Sequence, residues 1–247
     1  MVIEAIKHSG AALKYADSSF YCDREMVFLA AKTYGNVLLH SLDFRKDREV
    51  VLAAVSSCGH VLQLASHDIK DDRGVVLAAI KNNCWILQYA SLQLRSDFEV
   101  VRAAVQRNGR VLHWALGAVL DERPIFVDAT KTFACAVMFA SLRLRSDREL
   151  ILGAVVRDGF ALEYAAEELR ADPEVVLAAV RQHGGAIQFA APQLRADIKI
   201  RSAACLSAYL ALSITETDNS NSIMSFREFL MSPLSALAVA TSSGRSR

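Results

Sequence analysis

The sequence predicts an all-α fold, an α-solenoid of about eight helix-turn-helix hairpins that stack with a 25-residue period. Three observations predict it. An acidic residue recurs at nearly constant spacing, an apolar run around paired alanines follows it, and a glycine lies twelve positions after most of these acidic residues. The acidic residues, each called position 0 of its repeat, are Asp23, Asp47, Asp72, Asp97, Glu122, Asp147, Asp172 and Asp197. A period held over most of a chain determines its architecture.

The first half of each repeat predicts an α-helix. The acidic side chain at position 0 can accept hydrogen bonds from the free N–H groups of a first helical turn, and in most repeats a second acidic residue follows at position 2. Pro173 fits a first helical position, where no N–H is needed. Apolar residues at positions 3, 4, 5, 7 and 8 form a face too wide for a surface helix, so we expect neighbours on both sides.

The second half of each repeat predicts another helix. Pairs such as Ala53 and Ala54 keep side chains short, so helix axes can approach to about 8 Å. We expect the glycine at position 12 to end the first helix in the left-handed conformation. The following stretch then places Leu162, Ala165 and Leu169 on one face. Helices of about eleven and nine residues are marginal alone and would be stabilised by stacking.

The repeats occupy residues 1–212, and residues 213–247 form a Ser/Thr-rich tail. TETDNSNS and TSSGRSR within it have the composition of a linker or a disordered segment. Between them, Ser225 and Glu228 form a capping box that predicts a short helix over 222–231. This helix would act as a C-terminal cap or as a docking peptide, and a cap is favoured because terminal repeats need covering.

The repeated phrase D-x-E-V-V-L-A-A-V-x-x-x-G-x-A-L-x-Y-A-S-x-x-L-R-x-D resembles the domain of unknown function 4116 family. The best copies include SDFEVVRAAVQRNGRVLHWA, GFALEYAAEELRADPEVVLAAV and DREVVLAAVSSCGHVLQLAS, and the resemblance covers residues 1 to about 212. A family unit of about fifty residues would span two hairpins. The resemblance implies a protein from a bacterium or a protist, and some bacterial members come from intracellular bacteria that deliver effectors into host cells. It implies no activity and no catalytic residue.

One repeat departs from the pattern. Glu122 replaces the aspartate, Pro124 the second acidic residue, Asp128 the first alanine and Ala134 the glycine. A buried carboxylate is unfavourable unless it is paired. We therefore expect this repeat to be distorted and Asp128 to be locally exposed.

Charge and motif content argue against catalysis and cofactors. The 28 basic and 27 acidic residues leave a net charge of +1, which gives no global field for nucleic acid or an anionic membrane. The five cysteines and six histidines show no metal-binding spacing, and no apolar run is long enough to span a membrane. We expect a non-enzyme without cofactor or metal, cytoplasmic or delivered to a host cytosol if the source is an intracellular bacterium.

Two sets of residues are candidates for recognition. An aromatic ladder at position 17 is expected to pack in the core rather than stack on bases or peptides. Its members are Tyr15, Leu64, Tyr89, Trp114, Phe139, Tyr164 and Phe189. The turns between the two helices vary most, and equivalent turns of a solenoid share one edge. The candidate partner-binding residues there, called the turn strip, are Lys81, Asn82, Trp85, Arg107, Asn108, Arg110, Arg157, Phe160, Arg181 and His183. Ordinary solvated turns explain these residues equally well.

The favoured function is a non-catalytic repeat scaffold that mediates protein–protein interaction with a protein or peptide partner. One alternative is a nucleic-acid-binding helical repeat, in which turn residues and arginine columns would merge into a basic groove. Another is an effector-like fragment whose activity lies outside this chain. Against the nucleic-acid alternative, we expect the arginines of these columns to pair with glutamates or with helix ends. These arginines are Arg48, Arg148, Arg170 and Arg195.

Overall fold

The structure, a computed structural model, describes residues 2–216. Across this range the chain is helical and contains no β-strand, which confirms the predicted all-α repeat fold. The chain divides into two compact units, Met1–Asp128 and Ala129–Arg247. The last described helix continues to Glu216, past residue 212, and the predicted capping helix at 222–231 lies outside the described residues. No helix between residues 2 and 216 has the length and apolarity needed to cross a membrane.

The helices follow one another with short connections. The α-helices are α1 (Val2–His8), α2 (Arg24–Ala31), α3 (Arg48–Ser57), α4 (His67–Lys70), α5 (Arg73–Asn82), α6 (Phe98–Val105), α7 (Arg123–Thr132), α8 (Leu142–Arg145), α9 (Arg148–Val155), α10 (Glu167–Arg170), α11 (Pro173–Gln182), α12 (Pro192–Ala196) and α13 (Ile198–Glu216). The 3₁₀ helices are Gly10–Tyr15, Ser18–Cys22, Gly35–Leu39, Leu42–Lys46, Gly59–Leu64, Cys84–Tyr89, Leu94–Ser96, Gly109–Trp114, Gly117–Asp121, Ala134–Phe139, Gly159–Tyr164 and Gly184–Phe189. In unit 1, α3 packs against α2 and α5. In unit 2, α11 packs against α9 and α13.

The aspartate at position 0 caps the first helix, as predicted. A carboxylate oxygen of Asp172 accepts hydrogen bonds from the N–H groups of Glu174 at 2.8 Å and Val175 at 3.3 Å, and Pro173 occupies the first turn. Asp23, Asp47 and Asp197 accept the same two bonds, and Asp72, Asp97 and Asp147 accept from the N–H group at position 3. These side chains satisfy N–H groups that a helix leaves without intrahelical partners.

The second half of the repeat differs from the predicted nine-residue α-helix. It consists of a 3₁₀ helix, for example Gly159–Tyr164, and then a short helical turn, α10 in the same repeat. Positions 12, 15 and 18 are buried, here Gly159, Leu162 and Ala165. Residues three apart share one face of a 3₁₀ helix, so this spacing places all of them against the core. The prediction was wrong here because it read the apolar spacing with the α-helical period.

The glycine at position 12 permits a close approach and does not adopt the predicted left-handed conformation. Among the described glycines, the one with a positive φ is Gly117, at 71°. A Cβ atom on Gly159 would lie 2.3 Å from the carbonyl oxygen of Ala179 in the next repeat. Gly10, Gly35 and Gly184 show the same relation at 2.2–2.3 Å to Ala30, Ala54 and Ala204. Glycine at these sites therefore lets the 3₁₀ helix of one repeat contact the backbone of the next.

A backbone hydrogen bond also connects consecutive repeats. The N–H group at position 19 donates to the carbonyl at position 23 of the preceding repeat. In unit 1, Ser91 donates to Lys70 at 3.0 Å, and in unit 2, Ala166 donates to Arg145 at 2.9 Å. These bonds satisfy backbone groups that the helices leave open.

Ion pairs between repeats follow the same register. The Nε group of Arg48 donates to Oδ2 of Asp72 at 2.6 Å, and Arg148 donates to Asp172 at 2.9 Å. Each arginine thus pairs with the helix cap of the following repeat, which confirms the expected pairing of Arg48 and Arg148. Arg170 differs, because its Nε atom is buried and has no hydrogen-bond partner in the described structure. The pairs lie at the surface, where each contributes little stability alone.

Asp128 is buried, which corrects the expectation that it is exposed. Its residue is 8% exposed and lies in α7, a regular helix despite the altered repeat. Arg102 Nε donates to its Oδ2 atom at 3.0 Å, and Gln106 Nε2 donates to the same atom at 3.2 Å. The Arg102 guanidinium also lies 5.9 Å from the ring centroid of Phe98. Hydrogen bonds to Arg102 and Gln106, and not exposure to solvent, therefore stabilise this carboxylate.

Candidate interaction surface

The structure divides the turn strip between the two units. Unit 1 carries Lys81, Asn82, Trp85, Arg107, Asn108 and Arg110, and unit 2 carries Arg157, Phe160, Arg181 and His183. Every one of these residues is exposed or half-buried. Lys81, Asn82 and Arg181 lie in the last turn of the first helix of their repeats, and the other residues of the turn strip follow that helix.

Two asparagines of the turn strip bond to the framework. The Nδ2 group of Asn82 donates to the carbonyls of Val55 and Ser56, both at 2.9 Å, at the end of α3 in the preceding repeat. Asn108 Oδ1 accepts from the N–H group of Arg110 at 3.0 Å, which caps the 3₁₀ helix of its repeat. These amides therefore satisfy backbone groups, and their position in a turn has a structural explanation.

In unit 2 the turn strip contains an aromatic cluster. The ring of Phe160 stacks on His183 with centroids 4.9 Å apart, and it meets Phe189 edge-on at 6.3 Å. His183 Nδ1 lies 3.5 Å from Oδ1 of Asp158. The neighbouring Arg157 donates from Nη1 to the carbonyl of Gly153 in the preceding helix α9 at 2.7 Å. This cluster joins the turn strip to the aromatic ladder, since Phe189 belongs to the ladder.

The aromatic ladder is not in the core, contrary to the prediction. Tyr15 is 92% exposed, and the other six members, from Leu64 to Phe189, are half-buried. Position 17 is less buried than position 14, three residues earlier on the same 3₁₀ helix, so it lies where this face of the 3₁₀ helix reaches the edge of the core. Each of the six half-buried side chains combines a packed part with a part that solvent or a partner can reach.

A groove in unit 1 lies beside one member of the ladder. It has a volume of about 440 Å³ and lies between two consecutive repeats. Its lining residues, called the Tyr89 groove, are His67, Lys70, Asp71, Tyr89, Ala90, Ser91, Leu92 and Gln93. The Ser91 hydroxyl donates a hydrogen bond to the Asp71 carboxylate across it. Leu92 is 69% exposed at its edge.

The sequence prediction included Tyr89 but missed Leu92, although the sequence contains a signal for it. Leu42, Leu92 and Leu142 recur at intervals of fifty residues, and they are 63%, 69% and 78% exposed. Intervening repeats place other residues there, such as His67 and Glu167. A comparison of every second repeat would have shown this leucine column. An alignment with a 25-residue period hides it, because the repeats between have other residues at this position.

Three arginines near the ends of repeats, Arg45, Arg95 and Arg145, bond to backbone carbonyls. Arg95 Nε donates to the carbonyl of Trp114 at 2.6 Å, and Arg145 Nε donates to Ala140 at 3.0 Å. These guanidinium groups stabilise the ends of 3₁₀ helices, where carbonyls lack helical partners. Within residues 2–216, no group of three or more His, Cys, Asp and Glu side chains has an arrangement that could hold a metal ion.

Comparison with known protein families shows the family of this chain. The family model described as Domain of unknown function (DUF4116) matches residues 1–41, 23–70, 47–91, 72–116 and 147–195. Four of these matches begin at the helix caps Asp23, Asp47, Asp72 and Asp147. The matched ranges leave out 117–146, which contain the altered repeat that begins at Glu122. No curated protein and no solved structure matches the chain.

Proposed function

We propose that this chain, which belongs to the DUF4116 repeat family, is a non-catalytic scaffold that binds a protein or peptide partner. The family is one of unknown function, so the proposal depends on the surface of the molecule. The observation that supports it is the Tyr89 groove, where an exposed leucine and a half-buried tyrosine lie beside polar groups on a regular framework.

The size and chemistry of the groove suit a peptide side chain. Its volume of about 440 Å³ lies in the range of sites that enclose small groups. Tyr89 supplies a rigid aromatic surface, and Leu92 supplies apolar area that binding would remove from water. Lys70, Asp71 and Gln93 provide polar groups of both charges at the rim. We therefore assign the groove an apolar side chain of the partner, flanked by polar backbone or side-chain groups.

The turn strip extends the proposed surface in unit 1. Trp85 is 39% exposed and precedes Tyr89 in the same 3₁₀ helix. Tryptophan and tyrosine are enriched among residues that dominate binding energy at interfaces. Arg48 bonds to a carboxylate and Arg95 and Arg145 bond to carbonyls, which weighs against a continuous basic groove for nucleic acid.

The test compares the exposed leucine of the groove with one outside it. Partners of the full chain are captured from its own cells, identified by mass spectrometry, and the purified candidate is titrated against variants. We expect Leu92→Ser to weaken binding at least tenfold. Leu39→Ser, which changes an equally apolar residue that is 48% exposed in the same unit, should leave affinity within twofold.

Two results would contradict the proposal. Equal affinity of the wild type and Leu92→Ser for every recovered partner would exclude the groove. Recovery of nucleic acid, with affinity that falls steeply as salt increases, would favour the nucleic-acid alternative. Circular dichroism melting of each variant separates lost binding from lost folding.

A further inference from the structure

We propose that residues 223–230 of this chain bind in a groove between α11 and α13 and cover the last described helix. The groove has a volume of about 630 Å³. Its lining residues, called the α13 groove, are Leu177, Arg181, Lys199, Ser202, Ala203, Leu206, Ser207 and Leu210. It lies in unit 2, so this proposal is independent of the partner surface in unit 1.

The α13 helix exposes apolar side chains at a position that is polar in most earlier repeats; Val156, which is 57% exposed, is an earlier apolar residue at this position. Leu206 stands at position 9 of its repeat and is 45% exposed, and Leu210 is 51% exposed. Position 9 holds a polar residue in most earlier helices, namely Lys32, Ser56, Lys81, Gln106, Lys131 and Arg181. Exposed apolar area beside Leu177 and Ala203 favours burial against another segment.

A further repeat of the same kind does not fit on α13. Tyr209 occupies position 12, where most repeats have glycine. At the equivalent Gly184, a single Cβ atom would already lie 2.3 Å from the carbonyl oxygen of Ala204 in the following repeat. Cys84 and Ala134 show that a small side chain is accommodated at position 12, but a tyrosine ring is much larger, and α13 continues as an α-helix through Tyr209 where the other repeats begin a 3₁₀ helix. The helix also has 19 residues, against eight to ten for the first helices of the earlier repeats that begin with a cap.

The sequence after α13 contains a segment that matches the groove. Ile223, Phe226 and Leu230 are spaced so that an α-helix would place them on one face, with Phe229 beside Phe226. Eight helical residues are about 12 Å long, and the stretch of α13 from Lys199 to Leu210 is about 16 Å long. The apolar face of the segment would thus meet Leu177, Ala203 and Leu206 along most of the groove.

The connection is long enough for this segment to fold back. Residues 217–222 separate Glu216, the end of α13, from Ile223, and six extended residues span about 20 Å. Leu210 lies six residues before the end of α13, about 9 Å along its axis. The chain can therefore reverse direction after α13 and run antiparallel to it.

Charge favours the same arrangement. The α13 groove contains Arg181 and Lys199, and its lining residues include no acidic side chain. Within residues 223–230 Arg227 and Glu228 balance each other, and the excess negative charge comes from Glu216 and Asp218 at the start of the connection. Opposite charges at the rim guide and orient the contact, while the apolar face supplies most of its stability.

The test is photo-cross-linking in the full chain. A benzophenone side chain replaces Leu206, and equal amounts of ¹⁴N- and ¹⁵N-labelled chains are mixed before illumination. We expect cross-links from position 206 to residues 223–230 in which both peptides carry the same isotope. Cross-links between unlike isotopes would show that a second copy covers the groove, and absence of any cross-link to 223–230 would also overturn the proposal.

Hydrogen exchange supplies a second measurement that does not depend on the cross-linker. We expect the double variant F226S/L230S to increase amide exchange of residues 203–210 about tenfold, because the cover is lost. The matched control L234S/L237S changes two leucines outside the segment and should leave this exchange unchanged. Equal exchange in F226S/L230S and wild type would contradict the proposal. Leu92→Ser should affect neither measurement, so failure of the partner surface and failure of this contact are distinguishable.

Discussion

Arg102 donates a hydrogen bond from Nε to the buried carboxylate of Asp128 at 3.0 Å, and this pair joins the first helices of two consecutive repeats. Most repeats have an apolar residue at position 5 and alanine at position 6, for example Leu77 and Ala78. The pair therefore replaces an apolar contact with a charged one. Burying a carboxylate is unfavourable by itself, so the structure makes Asp128 dependent on its partners.

The first prediction concerns this dependence. Arg102→Leu leaves the Asp128 carboxylate without its guanidinium, and we expect the free energy of unfolding to fall by about 3 kcal/mol. The double variant R102L/D128A restores the residues typical of other repeats, and we expect its stability to lie within about 1 kcal/mol of wild type. Urea unfolding followed by circular dichroism measures both. A double variant as unstable as Arg102→Leu would show that the charge is not the cause.

The second prediction concerns acid stability. The guanidinium of Arg24, hydrogen-bonded to Asp47, lowers the pKa of that carboxyl below its ordinary value, and Arg48 does the same for the pKa of Asp72. Carboxyls with a lowered pKa stabilise the folded state at pH values above the unfolded pKa, and this contribution is lost as pH falls through the folded pKa. We therefore expect the free energy of unfolding to decrease between about pH 4 and pH 2.

Asparagine variants isolate this effect. Asparagine caps helices as well as aspartate does, so D47N/D72N keeps the helix starts and removes the titrating charges. We expect a smaller decrease in stability over the same pH range than in wild type. Asp43→Asn, which changes an exposed carboxylate away from these pairs, serves as the control. An unchanged pH dependence in D47N/D72N would exclude the Arg–Asp pairs as its source.

The third prediction separates framework residues from exposed residues within the turn strip. Asn82→Ala removes two hydrogen bonds to the carbonyls of Val55 and Ser56, and we expect a loss of about 1 kcal/mol in stability. The adjacent Lys81→Ala changes an exposed side chain and should stay within about 0.5 kcal/mol of wild type. Thermal and urea unfolding provide the comparison. Equal stability of the two variants would show that the hydrogen bonds of Asn82 do not stabilise the fold.

The sequence predicted the period, the caps and the Arg48 and Arg148 pairs because these depend on residues at fixed spacing. Position 0 aspartates and position 1 arginines recur together, so the register of one repeat on the next follows from the alignment. Asp128 required a different comparison. Its partner Arg102 lies 26 residues earlier, and both positions depart from the repeat pattern, so a search for paired departures would have found them.

The second half of the repeat was harder to predict. Buried positions 12, 15 and 18 suit a 3₁₀ helix, but the neighbouring buried position 14 also fits an α-helical face. Glycine at position 12 is ambiguous for a similar reason, because a left-handed turn and a close backbone approach both require it. Only the position of the next repeat, for example Ala179 against Gly159, decides between these explanations.

The most direct test of the account compares two glycines in one repeat. A Cβ atom on Gly159 would lie 2.3 Å from the Ala179 carbonyl oxygen, whereas the nearest atom to a Cβ on Gly153 is Arg157 Nη1 at 3.7 Å. We expect Gly159→Ala to lower the free energy of unfolding by about 2 kcal/mol or more, because the repeats must separate. Gly153→Ala should be neutral or stabilising by up to about 1 kcal/mol, since alanine favours a helix interior. Urea unfolding of the two variants and of wild type measures both changes in the free energy of unfolding. Equal effects of the two substitutions would contradict the close contact between repeats.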